Sequence, residues 1–207
     1  GEFSDHRYNI VLKSRQTGIS TLVAGFSLWK MLFNEDFNTL VIATKQEVAK
    51  NLVTKVRYMN QNLPTWLRQT TIEDNKLSLR YSNGSQIKAT SAAGDAGRSE
   101  ALSLLVFDEA AFIDKIEDIW ISSQSTLSTG GNAIILSTPN GVGNFFHKTW
   151  VGAEEETNSF NPIKLHWSVH PERGQDWRDE QEILLGPKGA AQECDCDFVS
   201  SGDTVID

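Results

Sequence analysis

The amino-acid sequence predicts an α/β fold with three layers and a mainly parallel sheet, and two observations carry this prediction. Four short runs are apolar at every position, at residues 10–12, 40–42, 104–107 and 133–136. Runs of this kind are typical of strands that are covered on both faces, as in a parallel sheet. Segments with helical periodicity separate the runs, and strands that alternate with helices form right-handed crossovers.

Three helices are predicted between these strands. The first covers residues 20–33, and its apolar face, which we expect to be buried, is formed by Leu22, Phe26, Trp29 and Phe33. The second covers residues 48–59, and Thr44 followed by Glu47 is typical of a helix start. The third begins near Asp114.

Residues 76–90 depart from this pattern, because apolar and polar positions alternate around the tight-turn signal Asn83-Gly84. We therefore expect an antiparallel hairpin inserted in the α/β core. The last part of the chain predicts a strand near residues 163–167 and helices near 176–185 and 187–193.

The composition is that of a structured globular domain, with 39% hydrophobic and 22% charged residues. The 19 Lys and Arg residues against 27 Asp and Glu residues give a formal net charge of −8, which excludes binding of nucleic acid by bulk electrostatics. No stretch predicts a membrane span. Cys194 and Cys196 suit neither a disulfide framework nor a four-ligand zinc site, so we expect a reducing cytoplasm.

The first candidate site lies between a buried strand and an apolar helix, in the segment Lys13-Ser14-Arg15-Gln16-Thr17-Gly18-Ile19-Ser20-Thr21. This is the context of a phosphate-binding loop, in which backbone N–H groups cradle the phosphates of ATP and a hydroxyl, here that of Ser20, holds Mg²⁺. The usual G-x-x-x-x-G-K-[ST] pattern would place Gly at Lys13 and Lys at Ile19. The alternative is an ordinary strand-to-helix turn.

The second candidate site is the acid pair Asp108-Glu109, which follows the apolar run at 104–107. Ligands of open α/β sheets bind at the carboxyl ends of the strands. Asp108 would hold Mg²⁺ through water, and Glu109 would polarise the water that attacks the γ-phosphate. The alternative is a strand that ends in solvated acids.

The third candidate site follows the last apolar run, which leads into Ser137, Thr138 and Asn140. These uncharged hydroxyl and amide groups would sense the γ-phosphate at the same edge of the sheet. The alternative is a Pro-Asn-Gly turn.

Three segments, in this order and spacing, resemble the ATPase domain of the large terminase of tailed bacteriophages, especially the T-even type: Ser14-Arg15-Gln16-Thr17-Gly18, Val106-Phe107-Asp108-Glu109-Ala110-Ala111-Phe112 and Ser137-Thr138-Pro139-Asn140-Gly141. The resemblance covers nearly the whole chain. It implies a P-loop NTPase of the catalytic-glutamate class, with the β-hairpin as an insertion.

The resemblance also implies a function and a setting. ATP hydrolysis would drive viral double-stranded DNA into procapsids, in a ring of copies of this chain, five on the capsid portal. The portal protein and the small terminase subunit would be partners, and most DNA contact would come from the full-length assembly. The protein would act in the cytoplasm of the infected bacterial host and would be absent from the mature virion.

Several residues take roles from the resemblance. Ser20 matches the Mg²⁺ hydroxyl, Asp108 the metal-site acid and Glu109 the catalytic carboxylate. Arg15 matches the basic residue of the phosphate loop. Arg98 matches a candidate finger that reaches a neighbouring subunit's nucleotide. Ser137 and Thr138 match the coupling motif. Arg98 could instead be a solvated side chain paired with Asp95 or Glu100.

The chain departs from the family at Ile19, where the family has the phosphate-binding Lys. An aliphatic side chain cannot neutralise phosphate charge. Arg15 is our first choice as the compensating cation, because guanidinium offers a bidentate fork to phosphate, and Lys13 is the second.

We expect residues 1–3 to be a cloning remnant, 4–151 to form the P-loop ATPase core, and 152–207 to lead to a junction with a nuclease domain. An adenine-contacting segment would precede the first strand. Two other functions remain open: a helicase-like DNA-dependent ATPase, and a nucleotide-binding module that does not hydrolyse ATP because Ile19 replaces Lys.

Overall fold

Strands and helices alternate along most of the chain, as the apolar pattern predicts. The structure, a computed structural model, describes residues 1–92, 101–127 and 130–199. The helices in these ranges are α1 (Glu2–Asp5), α2 (Ile19–Phe33), α3 (Gln46–Gln61), α4 (Ile116–Leu127), α5 (Phe145–Glu154) and α6 (Gln175–Glu193). The strands are β1 (Tyr8–Lys13), β2 (Asn38–Ala43), β3 (Thr71–Asp74), β4 (Ser78–Tyr81), β5 (Gln86–Ser91), β6 (Leu104–Asp108), β7 (Asn132–Ser137) and β8 (Phe160–Leu165).

The chain forms two compact units. Residues 18–134 form one, which we call the middle unit, and residues 1–17 with 135–207 form the other, which we call the terminal unit.

The middle unit is built around β2, which pairs in parallel with β5 on one side and with β6 on the other. The predicted hairpin is confirmed, since β4 and β5 are antiparallel and β3 adds a third antiparallel strand. Gly84 turns the hairpin with φ +83°, a left-handed conformation that favours glycine, and a Cβ there would force the Asp36 carboxylate to move.

The terminal unit pairs β1 with β8 in parallel, with Tyr8 opposite Phe160 and Lys13 opposite Leu165. The two predicted C-terminal helices are present as α6, which breaks at Gly186 (φ 73°, ψ 164°) just before Pro187. Beyond α6, Phe198 packs its ring 4.7 Å from that of His147 on α5.

The buried face of α2 is not the predicted one. Leu22, Trp29 and Phe33 are 61%, 47% and 63% exposed, whereas the core side of the helix carries Val23, Ala24, Ser27, Leu28 and Met31. Apolar residues occur on every side of α2, so hydrophobicity alone does not select a face. The small side chains on the core side allow close packing of the helix, which decides the orientation.

Two further details differ from the sequence prediction. The N-cap of α3 is Lys45, with no side-chain cap, so Thr44 does not cap this helix. The sequence pattern also misses β3, because all four of its residues are exposed and none alternates toward a core. Among the helices of the described residues, none is long and apolar enough to cross a membrane.

Candidate functional site

The segment between β1 and α2 has the backbone of an anion-binding loop. Gln16 has φ 53°, and Gly18, the N-cap of α2, has φ 78° and ψ 0°. Left-handed residues placed among right-handed ones turn successive N–H groups into concavities that bind anions. A Cβ at Gly18 would meet nothing within 4 Å, so glycine is required there by its dihedral angle and not by space.

Neighbouring segments of the terminal unit hold the first half of this loop. The Ser14 N–H donates to the Leu165 carbonyl at 2.8 Å, and the Arg15 N–H donates to the Glu193 carbonyl at 2.7 Å. The Thr17 hydroxyl closes the turn by donating to the Ser14 carbonyl at 3.3 Å. The loop is therefore fixed by its backbone, as a phosphate cradle requires.

Arg173 holds the same loop through its carbonyls. Its two terminal nitrogens donate to the carbonyls of Arg15 and Gln16, each at 2.8 Å. The guanidinium of Arg173 in turn lies over the Trp177 ring, 4.2 Å from the centroid. Sequence reasoning missed Arg173, because no motif marks a side chain whose partners are backbone oxygens.

In the middle unit the structure brings together the two residues that the sequence assigns to a metal. The Ser20 hydroxyl, in the first turn of α2, donates to Oδ2 of Asp108 at the end of β6, over 3.3 Å. Asp108 is only 7% exposed. Its other carboxylate oxygen accepts from the Glu109 N–H at 3.0 Å.

These two residues fit Mg²⁺, because a hydroxyl and a carboxylate are hard oxygen ligands and this ion takes few protein ligands besides water and phosphate. Within residues 1–92, 101–127 and 130–199, no group of three or more His, Cys, Asp and Glu side chains could hold a metal. The Ser20–Asp108 pair offers two such ligands.

Glu109 adopts a backbone conformation that is rare for its residue type. Its dihedral angles are φ 55° and ψ 41°, and its side chain is exposed where β6 turns into a short 3₁₀ helix. Non-glycine residues in the left-handed region cost free energy and cluster at functional sites. Glu109 therefore combines a strained backbone with an exposed position at the end of a buried strand.

The structure also locates the residue that replaces the usual lysine. Ile19 is 6% exposed and belongs to the core. The Lys55 ammonium of α3 instead donates to the Thr21 hydroxyl at 2.9 Å, in the same first turn of α2. Sequence reasoning missed Lys55, which lies 34 residues from Thr21 with no spacing signal.

The other site residues predicted from sequence lie at the ends of β1 and β7, except for one that lies outside the described residues. Ser137 and Thr138 are buried at the end of β7, and the Asn140 carbonyl accepts from the Asn144 side chain at 2.7 Å. Lys13 is partly buried at the end of β1, and the Ser14 hydroxyl is buried with no hydrogen-bond partner among the described residues. Arg98 lies outside the described residues.

A charged cluster supports the C-terminal end of α6 in the terminal unit. Asp195 accepts from Trp167 Nε1 at 3.0 Å and from two nitrogens of Arg178 at 2.7 Å each. Partial burial raises the pKa of Asp195, but the Arg178 hydrogen bonds and charge outweigh it and hold this pKa below its ordinary value. Burial raises the pKa of the neighbouring Cys196 thiol to about 12, which disfavours its thiolate form at neutral pH.

The mainly parallel α/β architecture, the glycine-capped strand-to-helix loop and the acid pair at the end of a buried strand define a P-loop NTPase fold. A family model described as terminase large subunit, T4likevirus-type, N-terminal, matches residues 10–207. The chain belongs to this family. The predicted fold class and the predicted family are both confirmed.

Solved structures agree with this fold. The chain is similar to the large terminase ATPase domain of Thermus phage P74-26, with 23% identity and a TM-score of 0.75 over 94% of this chain and 89% of that one. It is also similar to the large terminase of a thermophilic bacteriophage, with 12% identity and a TM-score of 0.77 over 95% of this chain and 50% of that one. This second protein has also been solved in complex with ADP and with ATP-gamma-S.

A third similar structure is the large terminase of bacteriophage HK97, with 18% identity and a TM-score of 0.65 over 96% of this chain and 41% of that one. At such identities these likenesses show the fold. The chain spans half or less of the length of the second and third of these proteins.

Proposed function

We propose that this domain hydrolyses ATP and that hydrolysis drives viral double-stranded DNA into procapsids. The observation that carries the proposal is the contact between the Ser20 hydroxyl and the Asp108 carboxylate, which lie 88 residues apart in the sequence. A hydroxyl at a helix start and a strand-end acid meet in this way where a P-loop enzyme holds the metal of its nucleotide. Family membership supports the same function.

The phosphates of ATP would lie against the loop of residues 13–21. The N–H groups of Ser14 and Arg15 already donate to protein carbonyls, so the N–H groups of residues 16–20 would supply the cradle. The positive φ angles of Gln16 and Gly18 would give it its curvature. Ser20 and Asp108 would hold Mg²⁺, which would neutralise charge on the phosphates.

Glu109 is the proposed general base. Its carboxylate takes a proton from water as the water oxygen bonds to the γ-phosphorus. The bond from that phosphorus to the bridging oxygen breaks, and ADP leaves with the electron pair. The hydrogen bond from the Glu109 N–H to the Asp108 carboxylate links the proposed base to the proposed metal-site acid.

The charge that Ile19 cannot supply has to come from other cations. Arg15, in the phosphate loop itself, remains our first choice, with Lys13 beside it. Lys55 is a further cation, because side chains in the first turn of a helix tilt toward its N-terminus and Lys55 is bonded to such a side chain, Thr21.

The remaining assignments follow the family. Ser137, Thr138 and Asn140 would sense the γ-phosphate, and Arg98 would reach the nucleotide of a neighbouring copy in a ring of five on the capsid portal. The portal protein, the small terminase subunit and DNA would contact the full-length assembly in the host cytoplasm. Nuclease activity would belong to a separate domain.

The test is ATP turnover by the intact protein as a function of Mg²⁺ concentration, compared among three variants. Glu109→Gln is expected to lower turnover about 100-fold or more while ATP-gamma-S still binds. Ser20→Ala is expected to shift the Mg²⁺ dependence to higher concentration. Glu117→Gln, at an exposed acid of α4, is the control. Unchanged turnover in Glu109→Gln would refute the assignment.

The buried position of Ile19 favours one alternative, a module that binds nucleotide without hydrolysing it. In that case the wild type would bind ATP-gamma-S but turn over no ATP, and Ile19→Lys would create turnover. A wild type that hydrolyses ATP without this substitution excludes the alternative.

A further inference from the structure

We propose that Arg173 is a positioning residue for nucleotide binding, which holds the phosphate loop in its binding shape from the carbonyl side. The proposal rests on the proposed function, because it assumes that this loop receives phosphate. Arg173 precedes α6 and is 157 and 158 residues from its two partners, the carbonyls of Gln16 and Arg15.

The two bonds fix the orientation of two successive peptide groups. In a trans peptide the carbonyl and the N–H of the same unit point in opposite directions. A bond to the Arg15 carbonyl therefore orients the N–H of Gln16, and a bond to the Gln16 carbonyl orients the N–H of Thr17. These N–H groups are the donors that a phosphate would meet.

The loop needs such support, because Gln16 lies in the left-handed region without being a glycine. Arg173 offsets that strain by satisfying the carbonyls on both sides of the Gln16 α-carbon. The Glu193 carbonyl, which accepts from the Arg15 N–H, holds the preceding peptide in place.

A guanidinium is suited to this role in a way that an ammonium is not. Its planar fork presents two donors at fixed spacing, which match two adjacent carbonyls at 2.8 Å each. The Trp177 ring, whose centroid is 4.2 Å from the guanidinium carbon, gives the fork a second contact besides the two carbonyls. A lysine ammonium has three donors, but it carries them on a flexible stem without a fixed planar fork, so it would hold the two carbonyls less rigidly.

The test measures the affinity of the intact protein for ADP and ATP-gamma-S with Mg²⁺. Arg173→Ala is expected to raise both dissociation constants about tenfold or more. Millimolar guanidinium, far below denaturing concentration, is expected to restore much of the affinity. Arg68→Ala is the matched control, because Arg68 also donates to a backbone carbonyl, that of Leu63 at 2.9 Å, but in the middle unit.

Arg173→Lys keeps the charge and most of the side-chain volume. If Arg173→Ala does not fold, this second variant tests whether Arg173 positions the loop. It is expected to weaken binding about fivefold with little change in melting temperature. Wild-type affinity in Arg173→Lys, or loss of affinity in Arg173→Ala that guanidinium does not restore, would overturn the proposal. A wild type that binds neither nucleotide would instead refute the proposed function, and the role of Arg173 would fall with it.

Discussion

Glu109 combines a backbone conformation that costs stability with the catalytic role that we propose for it. Its left-handed backbone is unfavourable for any residue with a Cβ, and its neighbour Asp108 is buried and bonded to Ser20. Lys115 has the same φ, 55°, on an exposed turn and offers a comparison without chemistry.

We expect Glu109→Gly to stabilise the protein by about 0.5–1 kcal/mol, because glycine adopts this conformation without strain but loses more entropy on folding. Turnover is expected to collapse, since the base is gone. Lys115→Gly should give a similar gain with turnover intact. Denaturant unfolding and an ATPase assay measure both quantities, and a Glu109→Gly protein with normal turnover would contradict the assignment.

Lys55 is a second residue whose proposed role can be tested by substitution. Lys55→Met is expected to raise the dissociation constant for ATP-gamma-S about fivefold, because a cation beside the first turn of α2 is lost. Ile19→Lys in the same background should recover the affinity. The control is Lys50→Met, because the Lys50 ammonium pairs with Glu47 at 3.1 Å. Equal affinity in Lys55→Met and wild type would show that Lys55 does not reach the phosphates.

Among the elements, α2 demonstrates where sequence periodicity fails. The sequence predicts the extent of the helix almost to the residue but the wrong buried face. Both faces are apolar, and the choice between them depends on packing that no local pattern encodes. The strands β1, β2, β6 and β7 were predictable because each is a contiguous apolar run.

The same substitution on the two faces of α2 tests its orientation. Leu28→Ala is expected to destabilise the protein by about 2–4 kcal/mol, because Leu28 is 4% exposed and its removal leaves a cavity. Leu22→Ala is expected to cost less than about 1 kcal/mol, because Leu22 is 61% exposed. Equal losses in denaturant unfolding would contradict the observed orientation, and a larger loss in Leu22→Ala would support the face predicted from sequence.

The Asp195–Arg178 pair makes the end of α6 sensitive to acid. The folded pKa of Asp195 lies below the unfolded one, so the unfolded chain binds the proton first and this contribution to stability is lost as the pH falls below about 4. We expect Asp195→Asn to lower the melting temperature at pH 7 and to remove part of its acid dependence. Asp179→Asn, at an exposed acid of the same helix, is the control. An unchanged acid dependence in Asp195→Asn would argue against the pair.

For the whole molecule, the sequence was sufficient for the fold class, the family and the Ser20–Asp108 pair, because contiguous motifs at strand ends define them. The sequence did not predict the hydrogen bonds that Arg173 and Lys55 make to the first candidate site. Their partners, two carbonyls and a hydroxyl, are distant in the sequence and have no signature of their own. Side chains that support a motif from a distance become visible only when the chain is folded.

The overall charge of −8 bears on how the molecule would meet DNA. Because bulk attraction is excluded, the proposed coupling of ATP hydrolysis to DNA movement would have to depend on local contacts within an assembly. A motor of this kind should link each ATP hydrolysed to DNA entry, and a helicase-like ATPase should unwind DNA without filling a capsid.

The most direct test is a packaging reaction with the intact protein, procapsids and linear double-stranded DNA, in which nuclease-protected DNA and ATP hydrolysed are measured together. We expect the wild type to protect DNA in proportion to the ATP that it hydrolyses, and we expect Glu109→Gln to abolish both DNA protection and ATP hydrolysis. Protected DNA in Glu109→Gln, or ATP hydrolysis by the wild type without any DNA entry, would contradict the proposed function.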